Sequence, residues 1–167
     1  MRKFSASLLA ISFFMLIFCG CEKVAEPVTP NTTFVSLSEI VTDGITMTAE
    51  ITACGSDDVN ITLCSPETLK GLSYHKVNST LYIEYNGLKC TTADDYLTSY
   101  NPFEVVFDVL SSLESAQLKA SGKEGELDIY TGKCSYGEYL IYIYEKSSDI
   151  QKIVPTFTDC EITFSYE

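Results

Sequence analysis

The sequence predicts an α+β fold that is mainly antiparallel β, and three features of the chain predict it. Apolar and polar side chains alternate from Ile45 to Cys54, and the alternation resumes at Val59 after the turn Gly55-Ser56-Asp57-Asp58. Asn86-Gly87 sits between two more alternating runs. A single amphipathic helix is written into "NPFEVVFDVL". A period of two marks strands with one buried face, and a period near 3.6 marks the helix.

In chain order, the first segment is of another kind. Arg2 and Lys3 precede an almost uncharged run from Phe4 to Cys21. Basic residues, a short apolar stretch and then a small residue form a secretory signal peptide. A spanning helix needs about 20 apolar residues and basic residues behind it. Here Glu22-Lys23 leads into Val, Ala, Glu and Pro, so cleavage is expected over spanning. The end of the run resembles the lipobox of bacterial lipoproteins, in which a cysteine after a small residue is acylated. Cys21 fits because Gly20 precedes it, whereas Cys19 follows the bulky Phe18. Phe18 and Cys19 depart from the usual lipobox residues, and an ordinary signal peptide with an incidental cysteine is the alternative. The expected organisation is a signal peptide at 1–20, a lipidated Cys21 with a Pro27- and Pro30-containing tether at 21–33, and one domain at 34–167. Two or more acyl chains anchor a protein stably. The expected location is therefore extracytoplasmic, with Cys21 lipid-anchored in a bacterial cell membrane.

Charge narrows the partners. Arg2 is the only arginine; loss of residues 1–20 leaves 9 lysines against 23 acidic side chains, a net charge of −14. A nucleic-acid footprint needs basic clusters, so nucleic acid is excluded. Besides Cys19 and Cys21 there are Cys54, Cys64, Cys90, Cys134 and Cys160. Their number is odd and no CxxC occurs, which leaves either one or two disulfides or free thiols, with free thiols preferred; the pairing is not legible. Three Asn-x-Ser/Thr triplets, at Asn31, Asn60 and Asn78, read as turn and strand residues in a bacterial chain.

From Phe34 onward the strands follow one another. Ile45, Met47, Ala49, Ile51 and Ala53 share one face, and Val59, Ile61 and Leu63 continue it. A turn centred on Ser56-Asp57 would set Cys54 opposite Val59. "SPETLKG" offers Ser65 as N-cap, Pro66 as first helical residue and Gly71 as terminator, one helical turn. Asn86-Gly87 then predicts a type I′ hairpin between Tyr85 and Leu88. Asn101, Pro102 and Glu104 form a capping-box arrangement. Behind it Phe103, Val106, Phe107, Leu110 and Leu113 make one apolar stripe, widened by Val105 and Val109, with Asp108, Ser111, Ser112 and Glu114 toward water. The last third returns to strands in "GELDIYTG", "YGEYLIYIYEK", "IQKIV" and "DCEITFSYE". Tyr139, Ile141 and Ile143 alternate with Leu140, Tyr142 and Tyr144, so this strand needs cover on both faces.

Together with the lipobox, "DGITMTAEIT", "SPETLKGLSY", "LYIEYNGLKC" and the "NPFEVVFDVL" helix resemble the bacterial lipoprotein-carrier superfamily, LolA- and LppX-like, and within it uncharacterised Gram-positive surface lipoproteins. The resemblance implies a strongly curved sheet, a half-open barrel, with helices on its concave side and acyl chains held in that cavity. No site residue is transferred from it.

Catalytic chemistry finds little support. His75 is the only histidine, and its neighbours in sequence supply no acid to orient it, so a surface strand histidine is expected. Asp57-Asp58 and Asp94-Asp95 read as loop acids rather than a calcium site. No nucleotide, hydrolase or metalloprotease motif occurs, so neither enzyme nor cofactor is expected. Eleven tyrosines fit strand propensity as well as a binding surface. Two functions remain. One is a membrane-anchored lipoprotein holding a lipid or acyl chain between sheet and helix, with Met47, Ile51, Val106, Phe107 and Leu110 lining the pocket. The other is a surface interaction or structural lipoprotein with a packed core and no ligand.

Overall fold

The computed structural model describes residues 28–166 except 94, 95, 99 and 116; the signal peptide, Cys21, most of the tether and Asp94-Asp95 lie outside the described residues. Eleven strands form one antiparallel sheet: β1 (Thr33–Thr42), β2 (Ile45–Cys54), β3 (Asp58–Ser65), β4 (Ser73–Val77), β5 (Thr80–Tyr85), β6 (Leu88–Ala93), β7 (Lys119–Glu124), β8 (Leu127–Lys133), β9 (Glu138–Tyr144), β10 (Ile150–Pro155) and β11 (Cys160–Ser165). A 3₁₀ turn, Glu67–Leu69, follows β3, and helix α1, Pro102–Leu113, separates β6 from β7. The sheet order is β6-β5-β4-β3-β2-β1-β11-β10-β9-β8-β7. Chain ends meet in the middle, β1 against β11, and the two edges are the strands that flank the helix. The sheet is open and curled, with the helix as its one α-element among the described residues.

Turn chemistry fixes the register where the sequence is most explicit. Tyr85 pairs with Leu88, and Asn86 and Gly87 adopt φ of 50° and 79°. Both values lie in the left-handed region that Asn and Gly tolerate best, the demand of a type I′ turn. At the β2–β3 turn the register differs by one residue from that expected. Ala53 pairs with Val59, which sets Cys54 at the level of Asp58. Gly55 at φ 84° absorbs the reversal.

The Pro66 turn also forms differently. Ser65 is the last residue of β3 and caps nothing; its Oγ accepts from the Thr48 N–H at 3.0 Å and the Thr48 hydroxyl at 2.8 Å. A register shift between Thr48 and Ala49 leaves that amide needing a partner, and Ser65 supplies it. The turn itself has Pro66 as N-cap without a side-chain cap. Ordered contacts begin ahead of residue 34: the Asn31 N–H donates to the Ser148 carbonyl and its side chain to Asp149, and Pro30 is buried.

Strand β7 escaped the sequence reading. "KASGKE" has no apolar alternation, and all its residues are exposed. It is a strand because β8 offers it an edge, and Lys119 and Lys123 suit a terminal strand that must not recruit another chain. On β9, Tyr139, Ile141 and Ile143 are fully buried inward. The expected cover on the outward face is not there: Leu140 and Tyr142 are half-buried and Tyr144 is exposed, with Lys152 reaching over the Tyr142 ring at 5.5 Å. No second layer is needed there, because a lysine stem can shield an aromatic face while its ammonium stays wet.

Candidate functional site

The concave side of the sheet and α1 enclose one apolar cluster. Its floor is shallow in the middle. Ser38 pairs with Ala49 across β1 and β2, Ser36 with Ile51, and Phe34 with Ala53; Ser36 and Ser38 are buried and bond to one another at 3.0 Å. Small side chains here leave depth for whatever lies above them.

The helix lies in that space. Asn101 caps it as expected, accepting from the Phe103 N–H at 2.9 Å. The second half of the expected capping box is absent: the Asn101 N–H donates to the Thr98 carbonyl, and Glu104 turns to the sheet. Phe103, Glu104, Val105, Val106, Phe107, Val109, Leu110 and Leu113 are all buried, so the helix is enclosed on nearly every side rather than along one stripe. The apolar face is wider than a single stripe, and the polar face of Glu104, Asp108, Ser111 and Ser112 lies opposite it. Ser111 and Glu114 are exposed as expected; Asp108 and Ser112 are not simply solvated. Asp108 accepts from the N–H groups of Ser135 at 2.9 Å and Tyr136 at 3.4 Å. Ser112 donates to the Val109 carbonyl at 2.7 Å, which leaves its oxygen to receive the Tyr139 hydroxyl at 3.0 Å. Burial pushes the Tyr139 hydroxyl above its ordinary pKa, so it stays a donor.

The N-terminal half of α1 is held by β4. Tyr74 packs on Phe103 with ring centroids 4.7 Å apart, and Lys76 reaches Glu104 at 3.6 Å while its ammonium lies 5.5 Å over the Phe107 ring. Sequence reasoning missed these ties. The available signal was parity: Tyr74 and Lys76 occupy the positions of "SYHKV" that alternate with His75.

All five residues expected to line a pocket fall in this cluster. Ile51, Val106 and Leu110 are fully buried, Phe107 nearly so, and Met47 keeps 8% of its surface. They come from β2 and α1, the two elements whose separation would set the size of any chamber between them.

Elsewhere His75 is the surface strand histidine expected, with an acid beside it that its sequence neighbours do not supply. Its Nε2 lies 2.7 Å from Asp58 Oδ1. The acid is 17 residues away in sequence and comes alongside because Asn60 pairs with His75 across β3 and β4. The pair lies on the outer face, away from α1, and both side chains are about half exposed. Among the described residues no group of three or more His, Cys, Asp or Glu converges as a metal site, and no helix is long and apolar enough to cross a membrane. Cys54, Cys64, Cys90, Cys134 and Cys160 are all free thiols.

The fold has counterparts among solved structures. An uncharacterised conserved protein from Thermus thermophilus superposes with a TM-score of 0.51 over 81% of this chain and 80% of its own, at 9% identity. A LolA superfamily protein from Nitrosomonas europaea matches with a TM-score of 0.46 over 82% of this chain and 86% of its own, at 7% identity. The Mycobacterium tuberculosis lipoprotein LppX matches with a TM-score of 0.39 over 80% and 85%, at 9% identity. At such identities the likeness is one of fold. No family model matches the sequence, and no curated protein matches it.

Proposed function

We propose that the chain is a lipid-anchored extracytoplasmic lipoprotein, bacterial and tethered through Cys21, that holds a lipid or acyl chain between its curved sheet and α1. It works by reversible apolar burial and makes no covalent change in its ligand. The observation that carries the reading is the pairing of a shallow inner face, built from Ser36, Ser38, Ala49 and Ala53, with the broad apolar face of α1, where Val105, Val106, Phe107, Val109 and Leu110 are all buried. Such a helix can part from the sheet and leave two apolar walls, and a chain of methylenes replaces the lost contacts at about 0.8 kcal/mol each. Met47, Ile51, Val106, Phe107 and Leu110 would line the ligand.

A second reading is favoured by one observation: Ile51, Val106 and Leu110 have no exposed surface. A core closed to that degree also suits a surface interaction or structural lipoprotein without a ligand. Displacement of a fluorescent fatty acid by palmitate separates the two. A carrier binds the probe saturably, and Leu110→Ala changes its affinity while the protein remains folded. A packed core shows no saturable binding.

A further inference from the structure

The outer face of the sheet carries a groove of about 830 Å³ that the acyl-chain reading does not use. Its floor is a single row. Thr52 pairs with Asn60, Asn60 with His75, His75 with Tyr82, and Tyr82 with Thr91, so five consecutive strands from β2 to β6 each place one residue on the line. At about 4.8 Å per strand the row is roughly 19 Å long.

The chemistry of the row is that of neutral donors and acceptors around one aromatic ring. Tyr82 is 45% exposed and stands beside His75 with centroids 6.1 Å apart. The acids of the groove have partners within it: Asp58 lies 2.7 Å from His75, and Glu84 lies 2.8 Å from Lys89. This set gives an anion no guanidinium and only an ammonium already paired, and the lining mixes these polar groups with apolar surface, Cys54, Ile83 and Cys90 included. Ser73 donates to Asn60 at 2.9 Å and the Asn60 amide donates to Thr62 at 3.2 Å, which orients the amide within the row. The backbone of β3, β4 and β5 is paired on both sides, so a peptide finds a free strand edge only at β6, the far end of the row. What fits is a ligand bringing many hydroxyls that both donate and accept, with C–H faces to lie on a tyrosine ring.

We infer that this row is a binding groove for a neutral glycan chain, lying across strands β2 to β6 with a sugar ring on Tyr82. The inference is independent of the lipid reading, because the two sites use opposite faces of the sheet.

The test is calorimetric titration of the full chain, in detergent micelles, with cellotetraose, maltotetraose and N,N′,N″,N‴-tetraacetylchitotetraose as probes. At least one binds saturably. Tyr82→Ala weakens it by about tenfold, the size of a lost aromatic contact, whereas Tyr82→Phe keeps it. Thr91→Val, at the edge of the row, weakens binding less and serves as the second variant should Tyr82→Ala fail to fold. Absence of saturable binding to all three probes at millimolar concentration overturns the proposal. So does a folded Tyr82→Ala, or in its place Thr91→Val, with unchanged affinity.

Discussion

Lys76 on β4 and Glu104 on α1 form an ion pair at 3.6 Å with only 15% and 6% of their side chains exposed. It is the polar contact that sets the N-terminal half of the helix against the sheet, in a region otherwise held by apolar packing and the Tyr74–Phe103 stack. Two charges so placed are costly to bury, and each makes the other tolerable.

Removing one of them is therefore worse than removing both. Lys76→Met takes the ammonium away from the buried Glu104 carboxylate and should cost about 3 kcal/mol, the usual penalty for breaking a buried pair. The double variant Lys76→Met/Glu104→Leu should recover most of that loss, as hydrophobic replacements of buried pairs do. Urea denaturation of the two singles and the double closes the cycle. Additive losses would mean that the pair does not couple helix to sheet.

Gly132 is required by a ring and not by a turn. It pairs with Tyr139, and a Cβ at this position would sit 2.3 Å from Tyr139 Cζ and 2.4 Å from its hydroxyl oxygen. Gly132→Ala should force the tyrosine out of its place, break its bond to Ser112 and cost about 1–3 kcal/mol. Chemical denaturation reads the loss. The double variant with Tyr139→Leu, which removes the obstructing hydroxyl end, should lose less than the sum of the singles. An unperturbed Gly132→Ala would show that the ring is free to move.

Alkaline stability should report on Cys160. Burial, with Asp159, Asp43 and Glu161 adding to it, pushes this thiol from its ordinary 9.0 up to about 12. The folded state holds the thiol proton more tightly than the unfolded state does. The contribution to stability is thus complete below pH 9 and is lost as the pH climbs toward 12. Denaturation midpoints should fall from pH 9 in the wild type, and Cys160→Ala should make that fall shallower, the remainder coming from Cys134, whose thiol burial also pushes up, and above pH 10 from the buried tyrosines. An identical pH profile in the variant would contradict this assignment.

The parts of the fold legible in sequence were those coded locally. Asn86-Gly87 dictates a turn that few other dipeptides make, and Asn101-Pro102 starts a helix whether or not a sheet lies beside it. The alternation in β2 and β3 is long enough to name the buried face. What was not legible depends on partners far along the chain. β7 has no pattern of its own and exists through β8. Asp58 reaches His75 only because the pairing of β3 with β4 brings them close, and Lys76 meets Glu104 only after the helix has been laid across β4. The site divides the same way. The apolar residues of β2 and α1 announce their burial by periodicity, but periodicity does not say whether the space between them is filled by side chains or by a ligand. The outer row of Thr52, Asn60, His75, Tyr82 and Thr91 is invisible until four registers are known.

The most direct test of the central claim is native mass spectrometry of residues 22–167 produced without the signal peptide in a lipid-containing host. The account predicts a mass excess that fragments to a phospholipid, glycolipid or fatty acid. A clean apo mass, unchanged after incubation with added lipids, would contradict it and leave the packed-core interaction module as the reading.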